Sequence, residues 1–360
     1  MVGSSAVVRA PGRPRHGTVS AVNPRKCLAV LAAMLLASVT FTSCIAGEAE
    51  AEADGLDAEP VTTPPRMEVV RAHLFDDDPD GRAAFARVRE HFETANPGYA
   101  MTFLAAATEI AADASSRLVF VQTPVEEEPA AAEIHAASGT TGTELHVGDI
   151  AVLRPGERLT VEPAIAALVF DVPDAPDENV PAAIRPDWDP DITDVLGGCA
   201  TETGAYRRIL LTWLKDNGAY TFHGLNAHRV RITDSFTHYH PADTGFDEFY
   251  LVQMSNDEDK LLTSYHVEDI ESPETMTPEL AGQLFDVHEV RAGDLIYLPR
   301  GVIHRGLGGV LAQVITGPGF RPGTEIGVDH HLLAINERLG LEGEDALPYN
   351  VEASTEAVVR

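Results

Sequence analysis

The chain has 360 residues, of which 44% are hydrophobic and 23% are charged, and this balance excludes a disordered tail, a collagen-like fibre and a polytopic membrane protein. The 26 Lys and Arg residues against 56 Asp and Glu residues give a formal net charge of −30, and a surface this negative repels phosphate backbones. We therefore expect no nucleic-acid partner, and three cysteines are too few for a disulfide framework.

The first 43 residues are typical of an export signal. Five basic residues and no acidic ones precede an uncharged, mostly apolar run from Cys27 to Phe41. This run is shorter than the ~20 residues of a membrane-spanning helix. The sequence Phe41-Thr42-Ser43-Cys44 resembles a bacterial lipobox, which implies lipidation of Cys44, and a plain signal-peptidase cut near Ala46 is the alternative. We predict an exported periplasmic or cell-surface lipoprotein, anchored to the membrane through Cys44.

Composition and pattern then divide the chain. Residues 44–66 are acidic and poor in large apolar side chains, which predicts a flexible tether. The remaining predicted parts are a first β domain over 67–170, a linker rich in Pro and Asp over 171–198, a second β domain over 199–325, and a C-terminal helix and tail over 326–360.

Three segments carry helix signals. Asp78-Pro79-Asp80-Gly81 precedes AAFARVREHF, which Asn96-Pro97-Gly98 closes. Thr277-Pro278 offers an N-cap and a first-turn proline for ELAGQLF, and the apolar spacing of VDHHLLAINERLG predicts a last helix that ends at Gly340. We expect these helices to lie at the periphery of a mainly β molecule.

Short β runs at close spacing fill most of the chain between these helices, a pattern typical of a barrel or a sandwich. The predicted strands include Arg117–Gln122, Ile150–Leu153, Ala166–Phe170, Arg229–Thr233, Phe249–Met254, Asp294–Leu298 and Val310–Ile315.

A weak internal repeat indicates two such units. VGDIAVLRPGERLTV, from Val147, aligns with AGDLIYLPRGVIHRG, from Ala292, at an offset of 145 residues. Both segments place a Gly-Asp turn before a β run. An unrelated α+β domain is the alternative for the first half.

A set of metal-ligand residue types lies in the second half. His238 and His240 are two residues apart, so on a strand both rings face the same side. Glu248 begins the β run that follows, and His304 comes after a Pro-x-Gly turn. Three imidazoles and one carboxylate suit a divalent transition metal, with Fe, Mn, Ni, Cu and Zn all compatible, and leave coordination positions open for a small-molecule substrate.

These residues resemble the two signature motifs of the cupin superfamily. Gly-x5-Pro-x-Gly-x2-His is matched without a gap from Gly293 to His304, and His-x-His followed by Glu is matched at His238, His240 and Glu248 with a longer spacer. Asp247 and Asp243 are alternative carboxylates.

The resemblance implies a mainly β fold, a double-stranded β-helix barrel in two tandem copies with a few peripheral helices, and a metal in the mouth of the second barrel. In the first copy Leu159 takes the place of His304 and no His-x-His precedes it, so the resemblance implies a degenerate barrel without metal. A homodimer is compatible with this interpretation.

Several other residues have a plain structural explanation. Tyr250 and Tyr297 are candidate catalytic residues, but core packing is the first explanation for each. Arg300 and Arg305 can attract an anion or pair with carboxylates, and Cys199 has no base beside it that would make it a nucleophile. The histidines that fit no ligand spacing are His223, His228, His266, His288, His330 and His331.

We hypothesise a metal-dependent oxidoreductase of the dioxygenase type, with iron as the metal and a small organic molecule as substrate. The resemblance to cupins also allows a decarboxylase or a sugar isomerase or epimerase. A surface module that binds a sugar or a metal ion without catalysis, or a scaffold stiffened by its site, are the non-enzymatic alternatives.

Overall fold

The computed structural model describes residues 68–122, 129–201, 203–318 and 320–360. The predicted signal peptide, the tether and Cys44 lie outside these residues. None of the helices in the described ranges is both long and apolar enough to cross a bilayer.

The chain begins with one strand and one long helix and then forms two sheets in turn. The first elements are β1 (Val70–His73) and α1 (Pro79–Ala95). The next seven strands are β2 (Ala100–Ala111), β3 (Ser116–Val121), β4 (Ala130–Ala136), β5 (Gly139–Leu145), β6 (Ile150–Leu153), β7 (Arg158–Val172) and β8 (Ala183–Ile184), and they form the first sheet.

The second half contains the remaining strands and three helices. The strands are β9 (Arg207–Leu211), β10 (Asn226–Asp234), β11 (His238–Tyr239), β12 (Glu248–Met254), β13 (Lys260–Ser264), β14 (Asp286–Glu289), β15 (Asp294–Leu298), β16 (Ile303–Thr316) and β17 (Ile326–Gly327). The helices are α2 (Val267–Ile270), α3 (Pro278–Ala281) and α4 (Asp329–Leu339), and short 3₁₀ turns occupy Gly198–Ala200, Pro273–Thr275, Gly343–Asp345 and Glu352–Ser354.

The two sheets repeat one pairing scheme. In the first, the long strand β7 pairs with β2, β3 and β4, while β6 pairs with β3 and β5 with β4. In the second, β16 pairs with β10, β12 and β13, while β15 pairs with β12 and β14 with β13. One long strand joining two strand sets in this way is the arrangement of a double-stranded β-helix. The predicted mainly β fold with two tandem barrels is therefore confirmed.

The internal repeat marks the same turn in both sheets. Gly148 and Gly293 each have φ near +93°, a conformation that favours glycine. The aspartate after each glycine accepts a hydrogen bond from a backbone N–H three residues earlier, at 2.8 Å from His146 to Asp149 and at 3.0 Å from Arg291 to Asp294. The weak sequence match thus corresponds to one turn built twice.

Four apolar clusters form the core of the described residues. One lies inside each sheet, one fills the space between the sheets, and one lies between α4, α2 and α3. The alternation along β12 illustrates this division, since Tyr250 faces the interior of the second barrel whereas Phe249 and Leu251 face the first sheet.

Strands from one predicted segment pair in the sheet of another, so the two halves are more closely connected than the predicted division of the chain implies. β1 pairs with β15, so residues 70–73 extend the sheet of the second half. β8, from the predicted linker, pairs with β6 in the first sheet. Gln122 and Gln313 add buried side-chain bonds across the interface, to the carbonyls of Val252 and Gly148.

The helices differ in part from the prediction. α1 begins after its N-cap Asp78, whose carboxylate accepts the N–H of Gly81 at 2.7 Å. It is not peripheral, because Phe92 lies between Phe170 of the first sheet and Phe249 of the second, with ring centroids 5.5 and 5.1 Å away. α3 ends at Ala281, well short of the predicted segment, whereas α4 ends at Gly340 as predicted.

We expect Phe92→Ala to lower the free energy of unfolding by roughly 3–5 kcal/mol, because it leaves a cavity between the sheets. Chemical denaturation of the full chain measures this loss. Phe75→Ala is the matched control, since its ring is 39% exposed and should contribute much less. Equal losses in both variants would contradict the central position of Phe92.

Candidate metal centre

Three histidines converge inside the second barrel. His238 on β11 and His304 on β16 are direct partners in adjacent antiparallel strands. His240 follows two residues later on the same face, and one ligand nitrogen from each ring lies within 4.8 Å of the others. All three side chains are almost completely buried. Among the described residues this is the one group of His, Cys, Asp and Glu side chains with such spacing.

Backbone carbonyls fix the orientation of each ring. The Nδ1 atoms of His238, His240 and His304 lie 3.1, 3.1 and 3.2 Å from the carbonyl oxygens of Phe236, Phe246 and Val302. Since a carbonyl only accepts, Nδ1 carries the proton and the lone pair is on Nε2.

The Nε2 atoms test whether a metal fits this site. Those of His240 and His304 are buried and have no hydrogen-bond partner among the described residues. A buried acceptor without a partner is costly, and a neutral imidazole held by its other nitrogen is a common metal ligand. The three histidines therefore form a site that can hold a divalent metal.

Glu248 supplies the carboxylate beside the histidines. Its Oε1 lies 3.4 Å from Nε2 of His304, and its Oε2 lies 4.0 Å from Nε2 of His240. It is the first residue of β12 and is 4% exposed, so its charge is held inside the protein. The structure thus brings together all four residues that the sequence predicted as ligands.

The two alternative carboxylates lie elsewhere. Asp247 points away from the histidines, where it accepts hydrogen bonds from Arg300 at 3.1 Å and from Asn96 at 3.1 Å. Asp243 is exposed. Because neighbouring residues on a strand face opposite sides, Asp247 and Glu248 cannot both reach the site.

The Pro-x-Gly turn before His304 hydrogen-bonds to the segment that carries His238 and His240. Gly301, with φ of +83°, donates its N–H to the carbonyl of His240 at 2.6 Å. The longer spacer after His240 closes on itself, since the N–H of Gly245 donates to the carbonyl of Pro241 at 2.7 Å. The extra residues therefore form a local turn without displacing Glu248 from the strand.

Burial favours the neutral form of His238 and His240. Desolvation, and then the nearby His304 and His240 rings, hold the pKa of His238 well below its ordinary value. Desolvation, and then His304, lower the pKa of His240 in the same way. Neutral imidazoles are the form in which histidine binds a metal.

The two tentative catalytic tyrosines lie on opposite sides of the second sheet. Tyr250 faces the barrel interior, and its ring stands edge-on to His304 with centroids 6.2 Å apart. Tyr297 faces the cluster between the sheets, beside Phe249, and hydrogen-bonds with Asp247. The prediction that Tyr297 is catalytic is therefore wrong, because its strand directs the ring away from the histidines.

The other residues noted in the sequence form ion pairs or hydrogen bonds away from the three histidines, or lie outside that cluster. Arg300 pairs with Asp247 and Arg305 pairs with Asp234, so both follow the expected alternative of carboxylate pairing. His266 bonds Asp269 at 2.8 Å and His288 bonds Thr263 at 2.8 Å. The side chain of Cys199 lies outside the described ones. None of the remaining histidines joins the cluster; these are His223, His228, His330 and His331.

Sequence reasoning missed Glu325. β17 pairs with β11 so that Gly327 faces His238 and Ile326 faces Tyr239, and the next step of this register places Glu325 opposite His240. Burial, and then the Glu248 charge, raise the pKa of Glu325 to about 7. No motif marks this glutamate, and only the strand pairing brings it to the site.

Comparison with known proteins finds solved structures alone. No family model and no curated protein matches the chain. A Bacillus subtilis oxalate decarboxylase with Mn(II) centres is 12% identical, with 69% of this chain and 77% of that chain covered at a TM-score of 0.41. A formate complex of the Lactobacillus farciminis oxalate decarboxylase is 12% identical, with 70% and 87% covered at a TM-score of 0.39. The chain is thus similar to these proteins at low identity and low TM-score.

We expect Glu248→Gln to weaken metal binding by at least about 10-fold, because loss of even an outer partner of a metal site costs about 10–100-fold. Asp247→Asn is the matched control. It should leave metal affinity unchanged and lower stability by about 1–3 kcal/mol, since it weakens acceptors for Arg300 and Asn96. Competition with a metal indicator and chemical denaturation measure the two effects. The reverse pattern would show that Asp247 is the ligand.

The metal-free protein should lose stability as the pH falls from about 7.5 to 5.5. Below about pH 6.5 the unfolded chain binds protons at His238 and His240, whereas the lowered pKa values keep the folded rings neutral. Acidification therefore favours unfolding, and the melting temperature after chelation measures the effect. The double variant His238→Asn, His240→Asn should show a flatter profile. An unchanged slope in that variant would contradict the assignment.

Proposed function

We propose that the protein is a metal-dependent enzyme of the cupin type, with His238, His240, His304 and Glu248 as the metal ligands. The observation that supports this most directly is the pair of buried Nε2 atoms, on His240 and His304, without a hydrogen-bond partner among the described residues. Such atoms are costly unless a ligand occupies the space between them.

The proposed reaction is dioxygenation of a small organic molecule with iron as the metal. A bound divalent ion would supply open coordination positions for substrate and dioxygen. The same ligand types also suit Mn, Ni, Cu and Zn. The barrel interior is lined by apolar side chains such as Val252 and Ile296, which would help to keep water from the reacting groups.

Tyr250 has a positioning role in this proposal. Its ring packs edge-on against His304 and is almost completely buried. Together with the carbonyl of Val302, which accepts from Nδ1 of His304 at 3.2 Å, it limits rotation of that ring. A ligand ring held on two sides keeps its Nε2 directed at the metal position.

The first barrel is proposed to be a degenerate copy that binds no metal. Leu159 and His304 are each the second residue of the long strand of their sheet. Leu159 pairs with Ile110, and His304 pairs with His238. At the position of Glu248 the first sheet has Arg117, which bonds Asp171 at 2.7 Å. Leu159 and Arg117 thus take the places of His304 and Glu248, and the first barrel supports the second by packing.

The proposal includes export and anchoring of this enzyme at the cell surface or in the periplasm through Cys44. It rests on the leader and the lipobox-like sequence. Labelling of growing cells with a radioactive fatty acid tests it, and Cys44→Ser should abolish the label.

Metal analysis of the natively purified full chain, followed by oxygen-uptake measurements on a panel of small organic compounds, tests the enzyme proposal. We expect bound iron and uptake with at least one compound. His304→Ala should abolish both, and the control His288→Ala should retain both, since His288 lies outside the cluster.

Three outcomes would contradict the reaction. Bound zinc without oxygen uptake would exclude dioxygenation, and release of carbon dioxide without oxygen uptake would indicate decarboxylation. Undiminished affinity for a sugar in metal-free protein would indicate a binding module without metal chemistry.

A further inference from the structure

Glu325 belongs to a row of polar residues beside the histidines. Glu325 and Arg360 form a reciprocal backbone pair, with each N–H donating to the other's carbonyl at 3.0 Å. The register of β17 against β11 continues this row to His240. Residues paired directly across antiparallel strands face the same side. The side of the barrel next to the metal position thus carries a carboxylate and a guanidinium.

Arg207 adds a second guanidinium to this region. It lies on β9 opposite Val230, whose side chain is part of the interior cluster of the second barrel. Its Nη1 occupies the space where a side chain on Gly197 would start, 2.9 Å from that position. The next residue, Gly198, accepts a hydrogen bond from Nη1 of Arg360 at 3.0 Å. The two guanidinium groups therefore lie around one glycine pair.

The side chain of Arg207 has no hydrogen bond or ion pair with the described residues. Its Nε is buried without a partner, and its charge acts on Glu325 and His228 only at longer range. His228, two residues before Val230 on the same face, also has a buried Nδ1 without a partner. By contrast, Arg208 on the same strand bonds Asp194 at 2.9 Å.

Arg207 is half-buried and has no ion-pair partner among the described residues. A partly buried charge without a counter-charge is costly, so this position favours an anion. Such a cation is notable in a protein whose net charge is −30.

We propose that Arg207 binds the carboxylate of a small organic acid, which is the substrate of the neighbouring metal centre. This rests on the proposed function for the metal and names its substrate class. The planar guanidinium presents two parallel N–H donors that match a carboxylate. Glu325 links this position to the metal position, because the charges of Arg207 and of Glu248 both act on its carboxyl group.

The test measures binding of acetate, propanoate and benzoate to the metal-loaded full chain by calorimetry, each beside its neutral amide. We expect each acid that binds to do so at least about 10-fold more tightly than its amide, because a charge-assisted hydrogen bond is lost in the amide. Arg207→Gln should remove this preference and leave metal content unchanged. Arg208→Gln is the control and should bind as the parent does.

Arg207→Lys provides a second variant if the glutamine protein fails to fold. It keeps the charge but loses the paired donors, so we expect weakened acid binding at an unchanged melting temperature. Equal affinity for acids and amides, no binding of any acid, or parent-like binding by both Arg207 variants would overturn the proposal.

The same measurements separate this proposal from that for the metal. If the protein contains metal and its affinity for acids is the same with and without Arg207, the anion site alone would be overturned. Protein that never takes up metal, yet binds acids through Arg207, would contradict the metal enzyme and support the anion site.

Discussion

The candidate site depends on the pairing of β11 with β16. This pairing places His238 and His304 side by side on one face, and the strand alternation adds His240. Three carbonyls then hold the Nδ1 protons, so the Nε2 atoms point inward. The rings are thus oriented through contacts of the protein itself. A metal would enter a site whose geometry is already fixed, which lowers the cost of binding.

The convergence of the three histidines could be predicted from short-range rules and the two motifs. Two histidines at i and i+2 on a strand share a face, and a Pro-x-Gly turn directs His304 back toward them. The choice between Asp247 and Glu248 was harder, because they are neighbours at the start of a strand that is buried on both sides. Such a strand has no polar face to show its orientation. The same absence of a pattern explains why sequence did not reveal that Tyr297 faces away from the site.

Features that depend on distant pairings were not predictable. The pairing of β1 with β15 joins segments more than two hundred residues apart, and no local signal marks it. α1 has clear caps, but its burial arises from two sheets that meet on Phe92. Glu325 lies next to a strand of only two residues and reaches the site through its pairing with β11. Of these three elements the sequence predicted only α1, and it did not predict what α1 packs against.

The two sheets separate what the fold needs from what the site needs. Both keep the Gly-Asp turn and the same pairing scheme, so these features build the barrel. Inside the first sheet Leu159, Ile110 and Ile134 form an apolar core that stabilises it by burial alone. Inside the second, three histidines and Glu248 interrupt the apolar cluster, and their desolvation opposes folding. The shared cluster around Phe170 and Phe249 therefore offsets part of that cost, because unfolding the second barrel would expose the inner face of the first.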